Sequence, residues 1–415
     1  MSILIFCILA TISIILGFYS FISLNNSIFI FLLYSSIVPN GIQFKNFIFL
    51  GGIFFSDFYF IFLLFHYLIF LLKFKINKQL FLIISSLIFL FSYLFPKIIN
   101  LTNIDKYLLK DLRPFMTLIF CAVLFFILYE KKIVFSEKRL FILLNSIFIS
   151  KIIVFFLILI FPITLEEESY RYLDGGGYIA ISFLLIYLTI DNKKLIFKNN
   201  FYSNITLLLS ILTILISTSR TVIFSLLVVI FLLSKANVFL KLFLTFLMTF
   251  SVYTLAFIFE IDRIKSTFEI SRLSFYIFSR FYPAIEHIRN MDYYQLIFGK
   301  GIGTTFNIPW FYYRVAENID PILNNIDSTY LTFYVKYGIF AIFIIIVYLT
   351  SIIRLLPLKT KLAFIITTLI MYITFALPYQ IFTLYFIIFT NLISLRLFFN
   401  QKNFKKNLFI YNSKN

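Results

Sequence analysis

Apolar runs of roughly 18 or more residues recur along almost the whole chain, and each is long enough to cross about 30 Å of hydrocarbon as a helix. Read from the C-terminus backwards, the pattern predicts spans near 381–396, 361–377, 331–352, 238–259, 221–234, 201–217, 177–190, 140–162, 114–129, 79–95 and 54–72. The opening stretch MSILIFCILATISIILGF has no basic n-region and reads as a retained first membrane helix. Residues 28–40 and 42–56 form two short runs, the second interrupted by Gly51-Gly52. The alternating residues that barrel strands require are missing. The expectation is an all-α, polytopic integral membrane protein of about 12–14 transmembrane helices. No internal repeat and no Gly/Ser or Pro-rich linker divides residues 1–415, which read as a single transmembrane domain carrying one large loop at 260–330.

Composition sharpens this picture. The chain is 61% hydrophobic and 13% charged, against about half and about one-quarter in soluble domains. Its net charge of +18 sits mostly in short loops rather than on a solvated face, so it marks topology and not nucleic-acid binding. Alternate loops at 73–78, 130–139, 191–198, 235–241, 354–361 and 396–414 hold 20 Lys and Arg. The opposite loops hold 13, seven of them in 260–330, so the first set, with the C-terminus, is expected to be cytoplasmic. Cys7 and Cys121 lie in apolar segments, and His66 and His287 are the only histidines, which leaves no thiolate or multi-histidine metal site.

The chemistry is therefore sought on the outer side. The 260–330 loop is long and rich in Arg, Asp, Glu, Tyr and Phe, and its pieces 271–289 and 311–317 read as amphipathic helices on the membrane surface. Arg220, in STSRT, is either a snorkelling anchor or a guanidinium facing a phosphate. Arg171 follows Glu166–Glu168 and precedes Asp174 and three glycines, which form a flexible turn or let backbone approach a sugar or phosphate. FGKGIGTT at 298–305 lacks the Walker spacing and reads as a turn after a helix. Lys151 falls near the middle of a span and needs a partner, whereas Lys336 lies close enough to an interface to snorkel. His287, beside Glu286 and Arg289, reads as a surface histidine.

Four features together resemble the O-antigen polymerase (Wzy) family within the O-antigen ligase/polymerase superfamily. These are Ser217-x-Ser219-Arg220, the outer-loop Arg171 followed by glycines, an Arg280-led amphipathic helix ending at Gly299 and Gly301, and DSTYLTFYVKYGIF at 327–340. The ligase branch carries His-Asn where this chain has Asp327-Ser328, which argues for the polymerase branch. The resemblance implies a GT-C-like helical fold in a bacterial inner membrane with a periplasmic active site. It also implies metal-independent, inverting glycosyl transfer between undecaprenyl-diphosphate-linked oligosaccharides, without cofactors. In that scheme Arg220, Arg280 and Arg171 hold the donor diphosphate with Arg272, Arg289 and Lys300 in support. Asp327, or failing it Glu286, is the base, and Tyr330, Tyr293, Tyr294 and Trp310 face sugars. Membrane lipid, a chain-length regulator and a flippase are the partners expected. A lipid-linked glycan flippase and an O-antigen ligase are the alternative activities.

Overall fold

The computed structural model describes residues 2–38, 49–50, 53–73, 106–160, 175–216, 220–233, 270–308, 322–353, 355–379 and 382–412, with isolated positions between 237 and 254. The predicted spans 79–95 and most of 238–259, and the piece 311–317, lie outside the described residues.

Helices α1 (Ser2–Ile22) and α2 (Leu24–Ile37) form an antiparallel pair. Ser27 Oγ donates to the Leu16 carbonyl at 2.7 Å, and Tyr34 Oη to that of Leu9 at 2.6 Å. Of the short apolar run at 42–56, interrupted in sequence by Gly51-Gly52, residues 49–50 and 53–56 are described. Strands β1 (Phe49–Leu50) and β2 (Ile53–Phe54) pair across Gly51-Gly52, and α3 (Asp57–Lys73) starts only afterwards. Two adjacent glycines each disfavour helix by about 1 kcal/mol, in keeping with the interruption read from the sequence.

The bundle continues with α4 (Lys106–Glu130), α5 (Glu137–Ile160), α6 (Gly175–Thr189), α7 (Asn200–Ile216) and α8 (Arg220–Leu233). Between α8 and the C-terminal helices lie α9 (Ile270–Arg289), α10 (Tyr293–Phe298), and the paired strands β3 (Phe306–Asn307) and β4 (Ile322–Leu323). The chain ends with α11 (Thr329–Tyr337), a 3-10 turn at Gly338–Phe340, α12 (Ala341–Ile353), α13 (Leu358–Thr374) and α14 (Phe382–Asn412). Among the described residues, five segments are long and apolar enough to cross a membrane: Ile3–Ile22, Lys110–Glu130, Glu137–Leu157, Thr329–Ile353 and Thr383–Asn400. Shorter apolar helices accompany them, and the class is an all-α membrane protein.

Helix α6 is the centre. Tyr178, Ile179, Ala180, Ile181 and Phe183 are fully buried, as expected of a helix apolar on every side, and α2, α5, α7, α8, α13 and α14 surround it. Hydroxyls stitch these neighbours together where no water reaches. Thr390 donates to Ser182 at 3.2 Å, Ser203 to Tyr187 at 3.0 Å and Thr189 to Thr360 at 2.9 Å. Lys151 is buried on α5 against the first turn of α6, where a Cβ at Gly176 would sit 2.7 Å from its Cγ. Gly176 thus makes room for the lysine stem.

Four of the Lys/Arg-rich connections gather at one end of the bundle. Arg396 donates to the carbonyls of Phe135 and Ile196, Asn400 to that of Leu195, and the Asn199 N–H to Glu137. The Thr189–Thr360 bond brings the start of α13 to the same end. Consequently the beginnings of α4, α8 and α11 and the end of α13 lie at the other.

Candidate functional site at the opposite end

At that other end, α9 packs on α11 and on β3. With 100° per residue, Arg280, Ala284 and His287 fall on one face of α9, Glu286 and Arg289 on others. Ala284 joins Phe306, Ile308, Ile326 and Val335 in a small separate core, edged by Phe281, Ile288 and Leu331. Ala284, Phe281 and Ile288 of this amphipathic helix thus cover protein, while Phe278 on the same helix is exposed.

Beyond α10 the chain crosses the end of α11 in backbone contact. The Lys300 N–H donates to the Val335 carbonyl at 2.8 Å and the Gly301 N–H to that of Lys336 at 3.0 Å. Gly299 has φ +74°, and a Cβ there would lie 2.2 Å from the Lys336 carbonyl. Gly338, φ +60°, would meet the Ile297 carbonyl at the same distance. The G-x-G turn read from FGKGIGTT is present, and its glycines are needed for this crossing.

Lys336 does not snorkel. Its side chain is 0% exposed, as is that of Asp111, with which it forms an ion pair. Asp111 also accepts from the Gly303 N–H at 2.7 Å and from Asn324 Nδ2 at 3.2 Å. A buried ammonium in an apolar span needs such a counterion, and reaching water would mean giving it up. Two residues on, Arg113 pairs with Asp57 at 2.5 Å, and its guanidinium lies 4.3 Å from the centre of the Phe54 ring.

His287 is half-buried rather than a surface residue. Its Nδ1 accepts from Lys300 Nζ at 2.9 Å, and its Nε2 lies 3.0 Å from the Thr305 carbonyl, which fixes the neutral tautomer with the proton on Nε2. Burial first, and then the Lys300 charge, hold its pKa below the ordinary value. Lys300, expected on substrate, is engaged here.

Two of the expected site residues meet directly: Arg280 Nη1 stands 3.6 Å from Asp327 Oδ2, with the side chains 20% and 40% exposed. Asp327 precedes Ser328, whose hydroxyl caps α11 by accepting from the Leu331 N–H. Thr329 Oγ1 donates to the Phe375 carbonyl at 2.6 Å, and Tyr330 Oη to that of Leu369 at 3.0 Å. Arg220 opens α8, and the adjacent Thr221 hydroxyl is 2.7 Å from that of Thr374. The end of α13 thus joins the start of α8 to the Asp327–Thr329 corner. Glu286 and Arg289 are exposed on their own faces of α9, and Tyr293 and Tyr294 are exposed on α10. The side chains of Arg220 and Arg272, and Arg171 and Trp310 altogether, lie outside the described residues. Among the described residues no three His, Cys, Asp or Glu side chains gather.

Sequence reading missed Asp111, Asn324 and the Arg113–Asp57 pair. The available signal was a carboxylate at the mouth of one span and a lysine inside another, charges of opposite sign at similar depth.

The fold is that of a polytopic α-helical membrane protein with a structured insertion at one end of its bundle. The chain belongs to a family of unknown function, DUF6369, whose model matches residues 163–406, from the loop before α6 into α14. It matches no curated protein and no solved structure.

Proposed function

We propose that this protein is an O-antigen polymerase of the Wzy type, with a GT-C-like fold of about 12–14 spans in a bacterial inner membrane. In this reading the end carrying Arg280 and Asp327 is periplasmic, and the end that gathers the Lys/Arg-rich loops is cytoplasmic. The observation that carries it is the meeting of Arg280, Asp327 and the start of α8 at one corner, with both members of the Arg280–Asp327 pair reaching solvent.

The reaction asks for two things there. The bond from the anomeric carbon to the donor diphosphate breaks, and its electron pair leaves with the phosphate oxygen, where fixed cations stabilise the charge. The acceptor hydroxyl oxygen bonds to the same carbon from the opposite face, and its proton passes to a carboxylate. Arg280 and Arg220 supply the cations and Asp327 the base. When Arg280 turns from Asp327 to the diphosphate, the carboxylate is freed for the proton. Removing one such donor typically lowers turnover about 10²–10³-fold.

The test is reconstitution of the purified protein with polyprenyl-diphosphate repeat units in EDTA. Chain growth that is lost in Arg280→Ala and Asp327→Asn supports the reading. Absence of growth where a control polymerase succeeds overturns it, and dependence on a divalent ion overturns the arginine account. In cells, Arg220→Ala should leave single units at the outer surface. Loss of all attached glycan would indicate the ligase, and units trapped inside would indicate a flippase.

A further inference from the structure

A carboxylate far away in sequence ties two segments of the insertion to the bundle. Asp111, near the start of α4, receives the Gly303 N–H from one side of the β3–β4 pair and Asn324 from the other. These two segments carry Lys300 and Asp327 respectively, and Lys300 in turn holds His287 on the α9 face that presents Arg280. Lys336 balances the Asp111 charge with both groups wholly buried. We infer that Asp111 is a positioning residue: its directed hydrogen bonds set the spacing of Arg280, Lys300 and Asp327 over the end of α13, with Lys336 as its ion-pair partner.

An ion pair alone would not require this arrangement, because apolar residues of similar volume often replace a buried pair without loss. What an apolar pair cannot reproduce is the acceptor for Gly303 and Asn324. The purpose of the spacing rests on the glycosyl-transfer reading, whereas the anchoring itself does not.

Two charge-free double variants separate these roles. D111N/K336M keeps a carbonyl oxygen for the Gly303 N–H and a polar partner for Asn324, while D111L/K336M removes both. In detergent micelles, exchange of the Gly303 amide should rise about tenfold or more in D111L/K336M and much less in D111N/K336M. In the reconstituted assay D111N/K336M should keep most chain growth, and D111L/K336M should lose turnover more than substrate affinity while eluting and melting like wild type. Equal Gly303 exchange in the two variants would overturn the anchor, and equal turnover would overturn its role in the reaction. If wild-type protein extends no chain, the polymerase reading fails alone, and the exchange comparison still decides whether Asp111 holds the insertion.

Discussion

Adding one methyl group at Gly338 should open the crossing between α11 and the Gly299–Gly301 turn. Its φ of +60° is a conformation that costs an L-residue about 1–2 kcal/mol. The new Cβ would also stand 2.2 Å from the Ile297 carbonyl oxygen and 2.7 Å from the Gly299 nitrogen, both backbone atoms that cannot swing aside. Relieving the overlap means separating the two strands of chain, and the bonds from the Lys300 and Gly301 amides to Val335 and Lys336 go with it. At about 1 kcal/mol each these bring the total to about 3–4 kcal/mol, or roughly a hundredfold or more in local opening. Gly303 is the control. It has φ +85° but nothing within 4 Å of its Cβ position, so Gly303→Ala should cost only the backbone term of about 1–2 kcal/mol. Hydrogen exchange at Lys300 and Gly301, in micelles, reads the opening directly. Equal acceleration in the two variants would mean that conformation alone matters here and that the overlap argument is wrong.

Other expectations follow from the buried charges. Arg113→Ala strands the Asp57 carboxylate among α2, α3 and α4 and should destabilise by about 3–5 kcal/mol, with D57A/R113A recovering much of it; thermal melting that ranks the double variant no better than the single would refute this. The His287 contact should weaken with acid. Its folded-state pKa lies below the ordinary 6.5, so the stabilisation is complete above that value and is lost as pH falls from 6.5 through the lower folded-state pKa. Exchange of residues 299–305, corrected for intrinsic rates, should therefore accelerate on acidification in wild type and stay flat in His287→Phe; protection that grows with acid would sink the assignment. Gly176→Leu should displace Lys151 and loosen α6 from α5, seen as a lower melting temperature.

Much of the fold was legible because a membrane span is written in one dimension. The runs at 114–129, 140–162, 177–190, 201–217 and 221–234 correspond to α4 through α8, since apolar length decides the matter without reference to partners. Gly51-Gly52 was a visible warning of the β1–β2 turn. Pairing was not legible. Lys336 reads as a snorkelling lysine because depth can be counted along a helix, whereas Asp111, 225 residues earlier, is a neighbour only after folding. His287 misled for the same reason: Lys300 and Thr305 reach it only when the glycine turn folds back on α9. The three glycines after Asp174 read as a flexible turn or as access for a ligand, and the part of Gly176 in seating the Lys151 stem from α5 was visible only in the fold.

Among the described residues, three ion pairs at this end of the bundle differ in a way that separates support from chemistry. Asp111 and Lys336 are 0% exposed, Arg113 and Asp57 are 9% and 12%, and Arg280 and Asp327 are 20% and 40%. An anion can take a cation from its partner only if the abandoned carboxylate finds water or a proton, since an uncompensated charge in the interior costs several kcal/mol. The two inner pairs cannot meet that condition without disturbing α3, α4 or α11. Arg280 and Asp327 can, because both reach solvent and their 3.6 Å separation is already wider than a hydrogen bond. A diphosphate arriving at this end would therefore be met by Arg280, and the inner pairs would hold the frame against which it moves. Exchanging charges within an inner pair should then act through stability first, whereas exchanging Arg280 and Asp327 should, on the proposed polymerase reading, abolish chain growth in a protein that still melts normally.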